Sequence, residues 1–244
     1  MRFLPPAFLC LLLAILPLPA IADGQAHATA SDEIALMDGR TMHLDGIEQP
    51  FAGDAWRDRA RDALQNLIAG KQITFEGATT DRYGRLSAEA YALDASGKKI
   101  WLQGEMLKAG FAFVYPPTGN ETRLDEMLAL ETGARHARTG IWSDEAYADT
   151  PADKVFYKEG QFAFVSGTVV DARRSKETVY IHFGENWRDI LTIAIAAHDL
   201  HKFRKAGIDI LDLAGKSIRA RGWIKHDIGP MIEVTDPGQM EVFK

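Results

Sequence analysis

Two short stretches of the 244-residue chain concentrate side chains that could do chemistry. The first, "DGRTMHLDGIEQPF" (38–51), offers carboxylates and a histidine, and the second, "TTDRYGRLSAEAY" (79–91), offers arginines and tyrosines around a glycine. Cleaving a phosphodiester requires cationic groups or a divalent ion where negative charge develops on the phosphoryl oxygens. A carboxylate placed nearby can take the proton of the attacking water. The two stretches therefore hold groups that a phosphodiester-cleaving site could use.

Local patterns assign the elements that must position the first stretch. "EIALM" and "TMHLDGI" flank the turn "DGR" and predict a β-hairpin. The segment 55–70 predicts an amphipathic helix that ends at Gly70. Its apolar residues fall on one face: Ala60, Leu64, Leu67 and Ile68.

The second stretch lies between two further predicted strands. "KQITFEGA" and "LSAEAYALD" alternate as strands around "TTDRYGR", and "KKIWLQGEMLKAG" predicts a strand followed by a short helix. A last helix falls within "ETRLDEMLALETGARHARTG", with apolar Leu124 and Leu128 and a capping Gly140. The order is strand, strand, helix, strand, strand, helix.

Four motifs in this order give residues 31–143 a resemblance to a known family. "SDEIALMDGRTMHLDGIEQP", "DRYGRLSAEAY", "LQGEMLKAGFAFVYPP" and "ETGARHARTGIWSD" resemble successive motifs of the staphylococcal nuclease (thermonuclease) family. The resemblance implies an OB barrel with helices packed around it. It also implies cleavage of nucleic-acid phosphodiesters with the help of one calcium ion.

The resemblance assigns roles to individual residues. Asp32 and Glu48 match the two metal-binding aspartates of the family, which makes them candidate Ca²⁺ ligands. Arg85 matches one catalytic arginine. Tyr83 and Tyr115 match aromatic positions that contact the substrate base.

At two catalytic positions the sequence departs from the family. His43 stands where the family has its first catalytic arginine, and Phe51 stands where it has the glutamate that orients or deprotonates water. Loss of one charge-stabilising donor lowers the rate by about 10²–10³, and loss of a general base lowers it by about 10²–10⁴. Protonated His43 could replace part of the charge, and Asp54 is a carboxylate close to the missing base. We therefore expect cleavage to be weak or lost.

Each of these residues also has a purely structural interpretation. Asp32 and Glu48 can be solvated turn residues, and "DRYGR" can be a tight turn with Arg85 as a surface charge. His43 alternates with apolar neighbours and is predicted to face away from the core. Tyr115, before two prolines, can be a packed edge residue.

After a polar stretch at 143–154, five strand-like runs recur, with a helical segment between the third and the fourth. That order predicts a second, Greek-key OB-like barrel. Within it, "RARGW" alternates Arg219 and Arg221 on one strand face beside Trp223. Such a face can hold a single nucleic-acid strand, or it can be an ordinary half-exposed strand.

The first 22 residues predict a secretory signal peptide. Arg2 precedes the apolar run Phe8–Ala20, and "AIA" gives a small-residue cleavage site. Pro17 and Pro19 interrupt the run, which is short for a membrane anchor. Cys10 lies within it, so the mature chain would have no cysteine for thiol catalysis, disulfides or zinc binding. We expect an exported protein, periplasmic or secreted.

Charge differs between the two parts of the chain. Residues 23–150 carry 13 Lys and Arg against 21 Asp and Glu, a formal −8, whereas residues 151–244 carry 14 against 13, a formal +1. Neither part has the strongly basic composition that favours nonspecific nucleic-acid binding. A local groove that binds a single strand remains compatible with both values.

Together these patterns predict a mainly β fold with helices (α+β). The predicted divisions are a signal peptide at 1–22, a staphylococcal-nuclease-like OB domain at 31–145 and a second OB-like domain at 155–244. The favoured function is a binding or scaffold module with a degenerate nuclease site, whose partner is a single-stranded nucleic acid or an envelope protein. The alternative is a calcium-dependent nucleic-acid phosphodiesterase that uses the two carboxylates and the arginine assigned above.

Overall fold

The computed structural model describes residues 21–22, 26–81, 83–115, 123–186 and 188–243. The predicted signal peptide lies outside the described residues, apart from the backbone of its last two positions. The chain forms a mixed α+β structure, mainly strands with a few helices, as predicted. Within the described ranges, none of the helices is long and apolar enough to cross a membrane.

The N-terminal part builds one large sheet with three helices. Its strands are β1 (Ile21–Ala22), β2 (His27–Ala30), β3 (Glu33–Ala35), β4 (Thr41–Leu44), β5 (Ile47–Glu48), β6 (Gln72–Thr80), β7 (Leu86–Leu93), β8 (Lys99–Trp101) and β9 (Phe113–Val114). Its helices are α1 (Asp54–Ile68), α2 (Leu102–Lys108) and α3 (Leu124–Ala137). The strands pair in the order β1-β6-β7-β4-β3-β2, with β8 added to β7, and β5 pairs separately with β9.

The predicted hairpin and first helix are confirmed. β3 and β4 pair antiparallel, and β6 and β7 pair antiparallel on either side of the "DRYGR" turn. α1 buries its predicted face through Ala60, Leu64 and Ile68. The chain leaves α1 through Gly70, whose φ of 67° is a backbone conformation that glycine adopts readily.

The predicted cap of α3 is wrong. The C-cap is Arg138, with a left-handed φ of 52°, and not Gly140, which lies two residues further on with φ of 57°. Gly140 instead begins a short 3₁₀ turn against the backbone of Gly110, where an added Cβ would overlap the Gly110 carbonyl oxygen. The glycine is needed for a close backbone contact, which a helix-end pattern cannot reveal.

The C-terminal part forms two sheets and one short helix, α4 (Leu200–Lys205). Its strands are β10 (Thr150–Pro151), β11 (Phe162–Thr168), β12 (Asp171–Ser175), β13 (Thr178–His182), β14 (Thr192–Ala196), β15 (Ser217–Trp223), β16 (Lys225–His226), β17 (Pro230–Glu233) and β18 (Met240–Val242). One sheet has the order β10-β11-β15-β18, and the other has the order β12-β13-β14-β17-β16. The five predicted strand runs are present, whereas β18 was not predicted.

An aromatic cluster joins the two parts, and we call it the aromatic junction. Its members are Phe51, Phe113, Trp142, Tyr147, Phe162 and Phe164. The ring centroid of Phe51 lies 4.4 Å from that of Tyr147 and 5.3 Å from that of Phe162. Phe162 lies on β11, so a strand of the C-terminal part completes a core that the N-terminal part begins. Tyr147 comes from the polar stretch predicted as a boundary, yet it is buried.

Beside this junction lies a buried ion network of three arginines and three carboxylates. Its members are Glu131, Arg135, Asp149, Arg219, Arg221 and Glu241. The Nη1 atom of Arg221 lies 2.7 Å from Oε2 of Glu131, and Nη2 of Arg219 lies 2.7 Å from Oδ2 of Asp149. The arginines of "RARGW" therefore bind acidic residues of this chain: Arg221 is fully buried, against both interpretations, whereas Arg219 is partly exposed, as on a half-exposed strand. Trp223 alone faces outward.

Candidate active site

The six residues singled out from the sequence line one cavity of about 670 Å³. They are Asp32, His43, Glu48, Tyr83, Arg85 and Tyr115. They come from the turn before β3, from β4 and β5, from the turn between β6 and β7, and from the end of β9. Parallel pairing of β4 with β7 brings the two motif stretches side by side. The fold thus gathers these residues into one concave site.

Asp32 and Glu48 line this cavity together, close enough for each carboxyl group to shift the pKa of the other. Asp32 is only 4% exposed. Its burial, and then the charge of Glu48, raise the pKa of Asp32 to about 8. Burial also raises the pKa of Glu48. The pair therefore retains a proton at neutral pH, and neither residue is a freely solvated turn carboxylate.

The guanidinium of Arg85 is held by two carboxylates that the sequence analysis did not single out. Its Nε donates to Oδ2 of Asp81 at 2.8 Å, and its Nη1 donates to Oε2 of Glu33 at 2.8 Å. Asp81 also accepts from the backbone N–H groups of Tyr83 and Arg85. The "DRYGR" stretch is thus a tight turn that also aims an arginine into the cavity. The aspartate that opens such a turn is the signal by which Asp81 could have been found.

His43 lies in the cavity rather than on a plain outer surface. Its Nδ1 is 3.7 Å from Oδ2 of Asp32, which is beyond hydrogen-bond distance. Burial, and then the positive charge of Arg85, lower the pKa of His43. The imidazole is therefore neutral at pH 7 and supplies no positive charge where the resemblance implies an arginine.

Phe51 and Asp54 bring no base to the cavity. Phe51 packs within the aromatic junction, against Phe113 as well as the rings named above. Asp54 is the first residue of α1, its side chain is 88% exposed, and it forms an ion pair with Arg57. Apart from the Asp32–Glu48 pair, the carboxylates that line the cavity among the described residues are those bound to Arg85.

The donor chemistry of the carboxyl pair fits a hard divalent cation such as calcium, which prefers carboxylate and carbonyl oxygens. A cation would also stabilise two carboxylates that lie close together and away from water. In the part of the chain that the structure describes, no three Asp, Glu, His or Cys side chains form a ready-made metal site. Calcium held by Asp32 and Glu48 would therefore take its other ligands from backbone carbonyls, such as that of Gln49, and from water.

Comparison with known proteins decides the family. The family described as "Staphylococcal nuclease homologue" matches residues 38–144. An "Uncharacterized endonuclease" of Escherichia coli O157:H7 is 31% identical over 116 residues, which are 46% of this chain and 71% of that protein. The chain belongs to the staphylococcal nuclease homologues. The resemblance inferred from its motifs is confirmed.

Two further relatives carry nuclease names. The "Micrococcal nuclease" of Shigella flexneri is 30% identical over 145 residues, 53% of this chain and 80% of that protein. The "Probable endonuclease LCL3" of Candida tropicalis is 32% identical over 123 residues, 48% of this chain and 49% of that protein. The family match includes the site from His43 to Tyr115 but begins after Asp32 and ends before β10. The C-terminal part, from β10 onward, therefore lies beyond the matched segment.

Proposed function

We propose that this protein is an exported binding module of the staphylococcal nuclease fold, with weak or no phosphodiesterase activity, whose cavity binds single-stranded nucleic acid. The observation that carries the proposal is the place of Phe51 in the aromatic junction. A ring that packs the two parts of the chain together stands where the resemblance implies the carboxylate that activates water. At this position a side chain that packs in the core replaces one that would transfer a proton.

The charges in the cavity argue against efficient cleavage. Arg85 is already balanced by Glu33 and Asp81, and His43 is neutral at pH 7. Negative charge that develops on the phosphoryl oxygens therefore meets a weaker positive field than two free arginines would give. We expect the missing donor and the missing base to lower the rate by at least about 10²–10⁴, since catalytic groups act as a unit.

A calcium-dependent phosphodiesterase is the second candidate, and the convergence of three residues favours it. Asp32, Glu48 and Arg85 line the same cavity. When bound, calcium would supply positive charge for the phosphoryl oxygens. Arg85 would hold the same phosphate, while Tyr83 and Tyr115 would flank the attached base.

The proposal extends to the organisation of the chain: a signal peptide cleaved after Ala22 and domains at 31–145 and 155–244, the second an OB-like barrel. Strand pairing supports the barrel. β11 runs on into β12 after two residues, β15 runs on into β16 after one, and β14 pairs in parallel with β17. The two C-terminal sheets thus share two bent strands, as in a five-stranded Greek-key barrel.

Cleavage and binding of single-stranded oligonucleotides separate the two candidates. The purified protein and its Arg85→Ala variant are incubated with DNA and RNA strands, with calcium or with chelator. Binding is measured in parallel by fluorescence anisotropy with phosphorothioate strands, which resist cleavage. We expect binding that Arg85→Ala weakens, and cleavage at background.

Chelator-sensitive cleavage that Arg85→Ala abolishes would establish the phosphodiesterase instead. If neither polymer binds or is cut, both candidates fail, and an envelope protein becomes the ligand to seek.

A further inference from the structure

A groove at the junction of the two parts continues from the candidate active site. It encloses about 540 Å³ and shares Glu48, Gln49 and Tyr115 with the cavity that holds Arg85. Its other lining residues are Pro50, Phe51, Arg57, Phe113, Phe162 and Trp223. The groove thus begins on the nuclease-like part and ends on the C-terminal part, beyond the residues that the family matches.

Three aromatic rings follow one another along this groove. The ring centroids of Tyr115 and Phe162 are 5.6 Å apart, and those of Phe162 and Trp223 are 6.0 Å apart. Phe162 is buried, whereas Trp223 is 54% exposed. A large indole that stays exposed beside other rings marks a surface on which a flat apolar group can bind. Nucleobases stack on such rings whatever their sequence.

The polar groups of the groove suit a nucleic-acid strand rather than a single aromatic ligand. Arg57 lines the groove from α1 with a half-exposed guanidinium that pairs with the exposed Asp54, so a backbone phosphate can reach it in place of or beside that carboxylate. At its other end the groove meets the cavity at Tyr115, which lines both. The cavity contains Arg85, the candidate for binding a phosphate. A ligand with bases beside its phosphates matches rings that lie between Arg57 and Arg85.

We infer that this groove is an extension of the nucleic-acid site, in which Trp223 stacks on a base next to the nucleotide held at Arg85. The inference rests on the proposed function and specifies how long the bound nucleic-acid strand is. A single strand of several nucleotides fills the cavity and the groove together, whereas a dinucleotide fills only the cavity. The C-terminal part then contributes directly to binding.

Binding as a function of strand length tests the inference. Anisotropy titrations compare phosphorothioate thymidine strands of two, four and eight nucleotides on the full chain and three variants, Trp223→Ala, Trp223→Phe and Tyr157→Ala. Tyr157 is a matched control, because it is 65% exposed and does not line the groove. We expect Trp223→Ala to weaken the longest strand about 5- to 100-fold and to leave the dinucleotide unchanged.

The conservative variant gives a second readout. Trp223→Phe should keep most of the affinity, because a phenyl ring still stacks. It should lose the part of the fluorescence quenching on binding the longest strand that comes from Trp223, one of five tryptophans. Thermal unfolding of Trp223→Ala should match that of the parent protein, since the indole is largely exposed.

Three outcomes would count against the inference. If the longest strand binds the parent protein and Trp223→Ala equally while Arg85→Ala weakens it, the groove is not part of the site, but the proposed function stands. If no strand binds the parent protein, the proposed function fails and the inference fails with it. An equal loss in Tyr157→Ala would also count against a specific role for Trp223.

Discussion

Removing the carboxylate of Glu131 is predicted to destabilise the whole chain. Glu131 is 1% exposed, and its Oε2 accepts hydrogen bonds from Nη1 of Arg221 at 2.7 Å and from the backbone N–H of Val114 at 2.6 Å. Its Oε1 accepts from Nε of Arg135 at 3.0 Å. The change Glu131→Gln therefore leaves two buried guanidinium groups without the charge that they share.

The magnitude follows from the balance of the buried ion network, in which three arginines meet three carboxylates. The variant leaves one uncompensated positive charge, and breaking a buried ion pair costs about 3–5 kcal/mol. Arg221 keeps its second partner, Glu241, so we expect the lower end of that range, about 3 kcal/mol. For a chain of this size, such a loss lowers Tm by roughly 6–12 °C.

Urea unfolding at neutral pH measures this loss as a difference in the free energy of unfolding. Glu126→Gln on the same helix is the control, because its 52% exposed carboxylate pairs with Arg123 at the surface and should cost less than about 0.5 kcal/mol. The double variant Glu131→Gln/Arg221→Met should lose less than the sum of its single changes, because both remove the same interaction. A loss below about 1 kcal/mol for Glu131→Gln, indistinguishable from the control, would refute the reasoning.

Three further predictions concern the pH dependence of Glu131, the backbone contact of Gly140 and calcium binding. Burial alone would raise the pKa of Glu131, but the charges of Arg221 and Arg135 hold it below its usual 4.5. The stability that Glu131 contributes is therefore present above that pH and lost as the pH falls through the lowered pKa, so urea unfolding of the parent protein and of Glu131→Gln should converge in acid. Gly140→Ala should lower the free energy of unfolding by about 2–4 kcal/mol, because the added Cβ meets the backbone of Gly110. The control Gly39→Ala, with φ of 83° and open space around it, should lower it by only about 1–2 kcal/mol. Equal losses would argue against the close contact. Calcium should raise the Tm of the parent protein but not that of Asp32→Asn, and an equal rise in both would exclude Asp32 as a ligand.

Local elements were predictable because their signals are local. The face of α1 follows from apolar residues three and four positions apart, and the β3–β4 hairpin follows from alternation on both sides of a turn. The cap of α3 was not, because Gly140 is required by Gly110, which is thirty residues earlier in the chain and close only after folding.

The candidate site was predictable only in part. Ordered motifs identified Asp32, Glu48 and Arg85, and the structure brings them to one cavity. The neutral state of His43 depends on its burial and on Arg85, neither of which sequence spacing reveals. Phe51 could be read as a missing carboxylate but not as a packing residue, because its partner Phe162 lies more than a hundred residues away.

Strand alternation misled the interpretation of Arg219 and Arg221. One strand alone shows that its two arginines share a face, but not what covers that face. Here the covering groups are Glu131 on α3 and Asp149 before β10. A basic strand face and an acidic region elsewhere in the chain are compatible with mutual burial as well as with ligand binding.

During synthesis, the aromatic junction can form only after the C-terminal part has left the ribosome. Phe51 and Phe113 leave the ribosome long before Phe162 and Phe164, the rings that cover them. A nascent chain that ends at residue 144, the end of the family match, holds the early rings with neither the β11 phenylalanines nor Tyr147 to shield them from water. Such an intermediate exposes apolar surface to which chaperones and other nascent chains can bind. In this protein the family segment leaves its share of the aromatic junction uncovered, and the strand that covers it is encoded after the segment.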